Sequence, residues 1–155
     1  IAEIGRRLTL SLDLEELLKQ VVKIIQQSFG YYHVAIGLVE GDDVVYRYGA
    51  GMLWDKPGFH MVPSRLKVGR EGLSGWVAAH GGALNVPDVS KEPRYVAIEG
   101  FEGGSELMVP IIVKEQVIGT LDALSDRLAH GLLAVGATPE PEARAGHVAP
   151  RAGEE

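Results

Sequence analysis

The chain has 155 residues, about one globular domain, of which 46% are hydrophobic and 23% charged. Its net charge of -6 argues against nucleic acid as a partner. It contains no cysteine, which excludes disulfides, thiolate nucleophiles, zinc–thiolate sites and thioether-linked chromophores.

The composition also bears on the cellular setting. A cysteine-free chain is typical of a reducing compartment, and no apolar run reaches the roughly 20 residues that span a bilayer. We therefore predict a cytoplasmic protein with no membrane contact by this segment. Because the chain begins at Ile1 and not at Met, we expect an excised domain or a processed product.

The first twelve residues have the spacing of a coiled-coil seam. Ile1, Ile4 and Leu8 stand at i, i+3 and i+7. We expect residues 1–12 to be the end of an incoming signalling helix; a helix end packed on its own domain is the alternative.

A second helix is predicted over residues 14–29. Asp13 and Glu16 have the spacing of a capping box, which predicts an interruption before this helix. Gly30 is the expected C-cap. The helix carries one wide apolar stripe, formed by Leu14, Leu17, Leu18, Val21, Val22, Ile25 and Phe29.

A hairpin should follow the helix. Residues 31–40 and 44–52 are rich in β-branched and aromatic residues and flank a Gly-Asp-Asp turn. Residues 53–65 contain two prolines and are predicted to form a loop. Residues 66–68 are predicted to be briefly extended.

The segment from residue 69 to residue 95 has frequent helix and strand breakers. It predicts a helix over residues 72–80, ended by two glycines, and a short strand over residues 83–86 that is stopped by Pro87. A turn of helix is expected over residues 93–98.

A second hairpin is predicted over residues 105–125, turning at residues 114–116. Its strands are apolar on both faces, which is typical of a sheet covered on both sides. Antiparallel hairpins with helices before and between them indicate an α+β fold. Residues 128–155 are rich in Ala, Gly, Pro, Arg and Glu, and we expect an atypical, poorly ordered tail.

Four stretches, taken in order, resemble a GAF domain. They are LDLEELL, YYHVAIGLVE, VGREGLSGWVAAHGGALNVPDVSKEPRY and SELMVPIIVKEQVIGTLDALSDR. The resemblance covers residues 8–127, and we place the GAF-like sensory domain at residues 13–127. It implies an antiparallel sheet of five or six strands with helices on both faces. The tail departs from the long final helix that such domains usually have.

The resemblance also implies a small-molecule pocket, roofed by residues 72–80 and 86–104. The residues expected to bind a ligand are Ser74, Trp76, Val86, Asp88, Tyr95, Ser105 and Met108. Several have simpler structural explanations: glycines at the start of the helix serve a tight turn, Trp76 packs in a core, and Asp88 caps a turn.

The ligands and catalytic sites known for GAF domains limit which ligands and activities this chain can have. The GAF-related reductases of free methionine sulfoxide and the bilin-binding domains use cysteine, and the cyclic-nucleotide pattern is not matched. Haem through His60 or His80 is disfavoured. None of the five histidines pairs with another at metal-ligand spacing, so no metal site is predicted. We find no G-x-S-x-G elbow and no P-loop, and we predict no catalytic residues.

The sequence therefore predicts a non-catalytic sensory domain that binds an unidentified small molecule and controls a linked histidine kinase or cyclase. A structural dimerisation module with a filled pocket is the alternative, and an enzyme is a third reading. A homodimer through the N-terminal helices is expected in either of the first two cases.

Overall fold

The computed structural model describes residues 2–128, without the side chains of residues 2–5 and 7–11. The predictions for the seam of Ile1, Ile4 and Leu8 and for the tail beyond residue 128 lie outside the described residues and side chains. Within the described part, no helix is long and apolar enough to cross a membrane.

Two helices and one six-stranded sheet form the fold. The sheet has the order β3-β2-β1-β6-β5-β4, and each neighbouring pair is antiparallel. This confirms the predicted α+β class. In chain order the elements are α1 (Ala2–Phe29), β1 (His33–Glu40), β2 (Asp43–Gly51), β3 (Arg65–Lys67), α2 (Gly72–His80), β4 (Leu84–Val86), β5 (Ser105–Val113) and β6 (Gln116–Ser125).

Each face of the sheet has its own apolar core. On one face, Val22 of α1 packs in a cluster with Ile36, Leu107 and Ala123. On the other face, Leu73 and Val77 of α2 belong to a second cluster, together with Tyr46, Leu84, Met108 and Leu124. The prediction of a sheet covered by helices on both faces is confirmed.

The predicted break before the second helix is wrong. Helix α1 runs without interruption from Ala2 to Phe29, so Asp13 lies inside it and caps nothing. Residues 6–29 contain neither Gly nor Pro, and a solvent-exposed Asp inside a helix costs only about 0.7 kcal/mol relative to Ala. The expected C-cap is found at Gly30, whose φ is +66° and whose N–H bonds Gln26 O at 3.0 Å.

The apolar stripe of α1 is only partly buried. Val22 is fully buried, whereas Leu14 and Leu17 are each 54% exposed, and Ile24, which is not part of the predicted stripe, is 60% exposed. The helix therefore presents a second apolar face to solvent.

The two hairpins lie where the sequence placed them. The second one turns at Lys114 and Glu115, which both have positive φ, at 49° and 65°. The turn of helix expected over residues 93–98 is wrong, because the 3-10 turn lies earlier, at Val89–Lys91. Pro93 lacks a backbone N–H, and the chain after it is irregular up to β5.

Candidate functional site

A small cavity lies between the start of α2, the segment before β5 and the sheet. Its volume is about 20 Å3, which is room for roughly one water molecule. Its lining includes two acids but no Lys, Arg or His. The lining residues are Tyr46, Met61, Pro63, Leu66, Gly72, Leu73, Ser74, Tyr95, Val96, Ile98, Glu106, Met108 and Asp122.

The floor of the cavity carries two buried carboxyl groups. Glu106 is 4% exposed and Asp122 is 2% exposed. Burial raises the pKa of Asp122 to about 7, and burial together with the neighbouring Asp122 raises the pKa of Glu106 well above its ordinary value. The two carboxyl groups are near enough to interact by a hydrogen bond, in which a protonated carboxyl is the donor and an ionised one the acceptor. The pair therefore holds a proton under conditions where exposed acids are ionised.

Three hydroxyl groups surround the acids. The Tyr46 hydroxyl lies close to both Asp122 and Ser74, and burial raises its pKa. Ser74 is 1% exposed, yet its Oγ makes no hydrogen bond of good geometry in the described part of the chain. The same holds for Tyr95 OH and Asp122 Oδ1. Burying a polar atom without a hydrogen-bond partner costs about 1–3 kcal/mol, so such atoms are uncommon in a core that serves packing alone.

The structure brings three of the predicted ligand residues together. Ser74, Tyr95 and Met108 line the cavity from the helix, the roof segment and the floor respectively. The segment that precedes β5 supplies Tyr95, Val96 and Ile98, as expected for a roof. The cavity lies beneath the 72–80 helix, where the resemblance implied a pocket, and the ligand contacts of these residues remain predictions.

Trp76 lies outside the cavity, in a surface hollow of about 410 Å3. Its ring stacks on His80 with the centroids 4.3 Å apart, and the Arg94 guanidinium lies 5.2 Å from its centroid. Arg94 also forms a two-pronged ion pair with Glu92, at 2.8 and 3.0 Å. The hollow shares Gly72, Tyr95 and Val96 with the cavity, so these residues form the boundary between the two spaces.

The other predicted residues have structural contacts in this conformation. Asp88 Oδ1 accepts hydrogen bonds from Ser90 N at 3.1 Å and from Ser90 Oγ at 2.6 Å, which caps the 3-10 turn. Ser105 Oγ donates to Arg127 O at 2.7 Å. Val86 is buried in the core on the α2 face. None of the three lines the cavity, and their assignment as ligand contacts remains a prediction.

The sequence reasoning missed the residues that give the cavity its polarity, namely Tyr46, Glu106 and Asp122. A signal was available: Glu106 and Asp122 stand inside strands that are otherwise apolar on both faces. An acid at such a position is buried, and buried acids are rare unless they serve a site.

A buried histidine lies on the same face of the sheet. His33 is fully buried, and neither ring nitrogen has a hydrogen-bond partner in the described part of the chain. Burial lowers its pKa to about 4, so the ring is neutral. Its ring contacts those of Trp54 and Phe59, at centroid distances of 6.0 and 6.4 Å. Among residues 2–128, no group of three His, Asp or Glu side chains is placed to hold a metal ion.

Comparison with known proteins places the chain in a family. The family model for the GAF domain matches residues 13–138. Among solved structures, free methionine-R-sulfoxide reductase from Neisseria meningitidis, in complex with its substrate, is 29% identical. Its TM-score is 0.61, and the match covers 76% of this chain and 71% of that one.

Two further structures share the fold. The type II free methionine-R-sulfoxide reductase from Thermoplasma acidophilum has a TM-score of 0.65 at 18% identity, covering 77% of this chain and 86% of that one. The GAF domain from an Acinetobacter phosphoenolpyruvate-protein phosphotransferase has a TM-score of 0.64 at 21% identity, covering 79% and 75%. No match is found among curated proteins. From the family match and the fold together, the chain belongs to the GAF domain family.

Proposed function

We propose that this GAF domain is a non-catalytic sensor that binds a small molecule in the cavity between α2 and the sheet. The observation that carries the proposal is a set of buried polar atoms around that cavity that make no hydrogen bond of good geometry in the described part of the chain: Ser74 Oγ, Tyr95 OH and Asp122 Oδ1. A core that served packing alone would be more stable with apolar groups there. A ligand that forms hydrogen bonds with these atoms would offset the free-energy cost of burying them.

Binding requires that the roof opens. Small-molecule sites usually enclose roughly 300–1,000 Å3, far more than this cavity holds. Residues 92–104 form no helix or strand. Two backbone hydrogen bonds, Tyr95 N to Glu92 O and Phe101 N to Ile98 O, lie within this segment and do not tie it to the sheet. This part of the lining can therefore move without breaking the hydrogen bonds of the sheet.

We propose binding without turnover. The Neisseria structure is of an enzyme that reduces free methionine-R-sulfoxide. The GAF-related reductases work through cysteine thiols, and this chain has none to oxidise. Free methionine-R-sulfoxide is accordingly a useful probe: it tests for binding and, in an assay that follows methionine, for reduction, which we expect to be absent.

The finer role is also a proposal. We infer that the domain controls a linked histidine kinase or cyclase in the cytoplasm. The lack of cysteine fits a reducing compartment. Autophosphorylation or cyclase activity of the longer gene product, measured with and without a ligand of the domain, would test the output.

The alternative is a structural dimerisation module, and one observation favours it. Leu14, Leu17, Val21 and Ile24 follow the 3-4-3 spacing of a coiled-coil seam, and three of them are more than half exposed. The face fits a second copy of the chain. Sedimentation equilibrium should give a dimer for the wild type and a monomer for L17E/I24E, while K23E, which changes the charge equally, should stay dimeric. A sensor can also dimerise, so this result alone does not decide between the two.

The deciding experiment is a ligand screen by thermal shift and by amide NMR. The panel holds nucleotides, amino acids, free methionine-R-sulfoxide, organic acids and haem. A hit should shift the amides of Ser74 and Tyr95, and Y95F should weaken it about tenfold, the value of one buried hydrogen bond. Y48F on the opposite face is the control. If a well-folded sample responds to nothing, the sensor proposal fails and the structural module stands.

A further inference from the structure

The charge of the cavity lining narrows the class of ligand. Among the described residues that line it, Glu106 and Asp122 are the two carboxylic acids, and none is basic. The nearby Arg94 is already paired with Glu92, and Lys67 is paired with Asp43 at 2.6 Å. Within the described residues, the cavity therefore offers no basic side chain that could neutralise the two acids.

A second observation points to a ligand. Ser74, on the α2 side of the same cavity, is only 1% exposed, and its Oγ makes no hydrogen bond of good geometry within residues 2–128, with the Tyr46 hydroxyl as its near neighbour. The Oγ atom of Ser74 can accept a hydrogen bond from the same positively charged donor group that the two carboxylates attract. An ammonium group has three such donors and no acceptor, which matches two carboxylate oxygens and one hydroxyl.

The remaining lining is apolar. Met61, Leu66, Val96, Ile98 and Met108 surround the acids, so the group bound there would be the charged end of a molecule with an aliphatic body. An inorganic cation fits less well, because Mg²⁺ and Ca²⁺ require six or more oxygen ligands or retained waters.

We propose that the cavity recognises an organic amine, with its ammonium group held by Glu106, Asp122 and Ser74. This inference rests on the sensor proposal and names its ligand class. Near pH 8, before an amine binds, the two acids keep one proton between them. The incoming cation replaces that proton, which leaves to solvent, and both carboxylates then face the ammonium group.

The proton exchange makes amine binding depend on pH. The groups that face the acids are Tyr46 of β2, Ser74 of α2 and Tyr95 of the roof, with Glu92 acting on Glu106 from further away. Burial raises the pKa of both tyrosines, so neither ionises in the neutral range. The change in binding between pH 5 and pH 8 is thus attributable to the acid pair.

The test uses three probes with the same four-carbon chain: n-butylamine, 1-butanol and butyrate. Amide NMR titrations of the folded domain at pH 8 should show butylamine binding in the cavity, through shifts of the Ser74 and Asp122 amides. The affinity for butylamine should be at least tenfold higher than that for butanol. Butyrate should not bind. Butylamine affinity should fall at least threefold at pH 5.

Two variants distinguish the effect of the acid pair from the effect of the overall negative charge of the domain. E106Q should weaken butylamine about tenfold, leave butanol unchanged and reduce the pH dependence to the titration of Asp122 alone, whose pKa burial raises to about 7. E102Q, which removes an exposed acid nearby, should bind like the wild type.

Several outcomes would overturn the inference: butanol or butyrate binding as tightly as butylamine, E102Q matching E106Q, or magnesium chloride producing the same shifts. If the three probes fail but another compound shifts the same amides, the amine inference is wrong and the sensor proposal survives. If no compound shifts them, both are wrong.

Discussion

Glu106 and Asp122 lie diagonally across the β5–β6 pairing, since Glu106 pairs with Leu124 and Asp122 pairs with Met108. Diagonal neighbours point to the same face of a sheet and are within reach of long side chains. The register therefore brings two acids together in a cavity that a one-residue slip of β6 would leave with only one.

This pair should make the stability of the domain depend on pH. Both pKa values are raised in the folded state, so folding favours the protonated forms, and this contribution is lost as pH rises through the folded pKa values. Relative to E106Q, which lacks the titration of Glu106, the wild type should lose unfolding free energy as pH rises from about 4.5, the ordinary pKa of Glu106, towards pH 8. Urea unfolding across that range is the measurement.

His33 contributes with the opposite sign. Its pKa is lowered to about 4, so its contribution is present above the ordinary value of 6.5 and is lost as pH falls towards the folded value. The contribution of His33 is the same in the wild type and in E106Q, so it cancels in the difference between their unfolding free energies. A difference that stays constant with pH, as expected for the control E102Q, would contradict the assignment of the acid pair.

Gly75 fixes how closely α2 approaches the β3–α2 loop. A Cβ at this position would lie 2.4 Å from Lys67 O, a backbone atom that cannot swing away. G75A should destabilise the domain by about 1–3 kcal/mol, although alanine is the better helix former. G82A, whose Cβ would meet only the Trp76 ring at 3.9 Å, is the matched control and should be neutral. Equal urea midpoints for the two variants would refute this reading.

The turn of the second hairpin can be improved. Lys114 and Glu115 both have positive φ, the geometry of a type I′ turn that favours Asn-Gly. K114N/E115G should raise the unfolding free energy by about 1 kcal/mol, because strain at left-handed residues is relieved. K114N/E115A keeps a side chain at the second position and should gain less. A destabilised glycine variant would show that this turn is not strained.

The contact of Arg94 with Trp76 should slow the opening of the roof. A cation–π contact contributes about 0.5–1 kcal/mol at an exposed site, so R94A, which removes this contact together with the ion pair to Glu92, should speed hydrogen exchange at residues 95–101 by at least about 2-fold. Trp76 fluorescence in a W54F background should change in parallel. R70A, an exposed arginine on the same hollow, should leave both unchanged. Unchanged exchange in R94A would show that other contacts hold the roof.

The comparison of sequence and structure shows which kinds of inference local patterns support. Periodicity placed α2, both hairpins and the two-sided sheet, because burial imposes those patterns directly on the chain. It failed at Asp13, where a capping-box spacing was outweighed by an uninterrupted helix. It also missed Glu106 and Asp122 as a pair, because their proximity depends on the pairing register of two strands and not on spacing along the chain.

Strand β6 places the cavity and the long helix on opposite sides of one peptide chain. Asp122 borders the cavity, while its neighbours Leu121 and Ala123 belong to the cluster that packs with Val22 of α1. Any movement that an occupant imposes on the backbone at Asp122 also displaces Leu121 and Ala123, which belong to the apolar cluster that packs with Val22 of α1. Communication between a ligand and the helix would then pass through one strand and the side chains that pack between it and the helix.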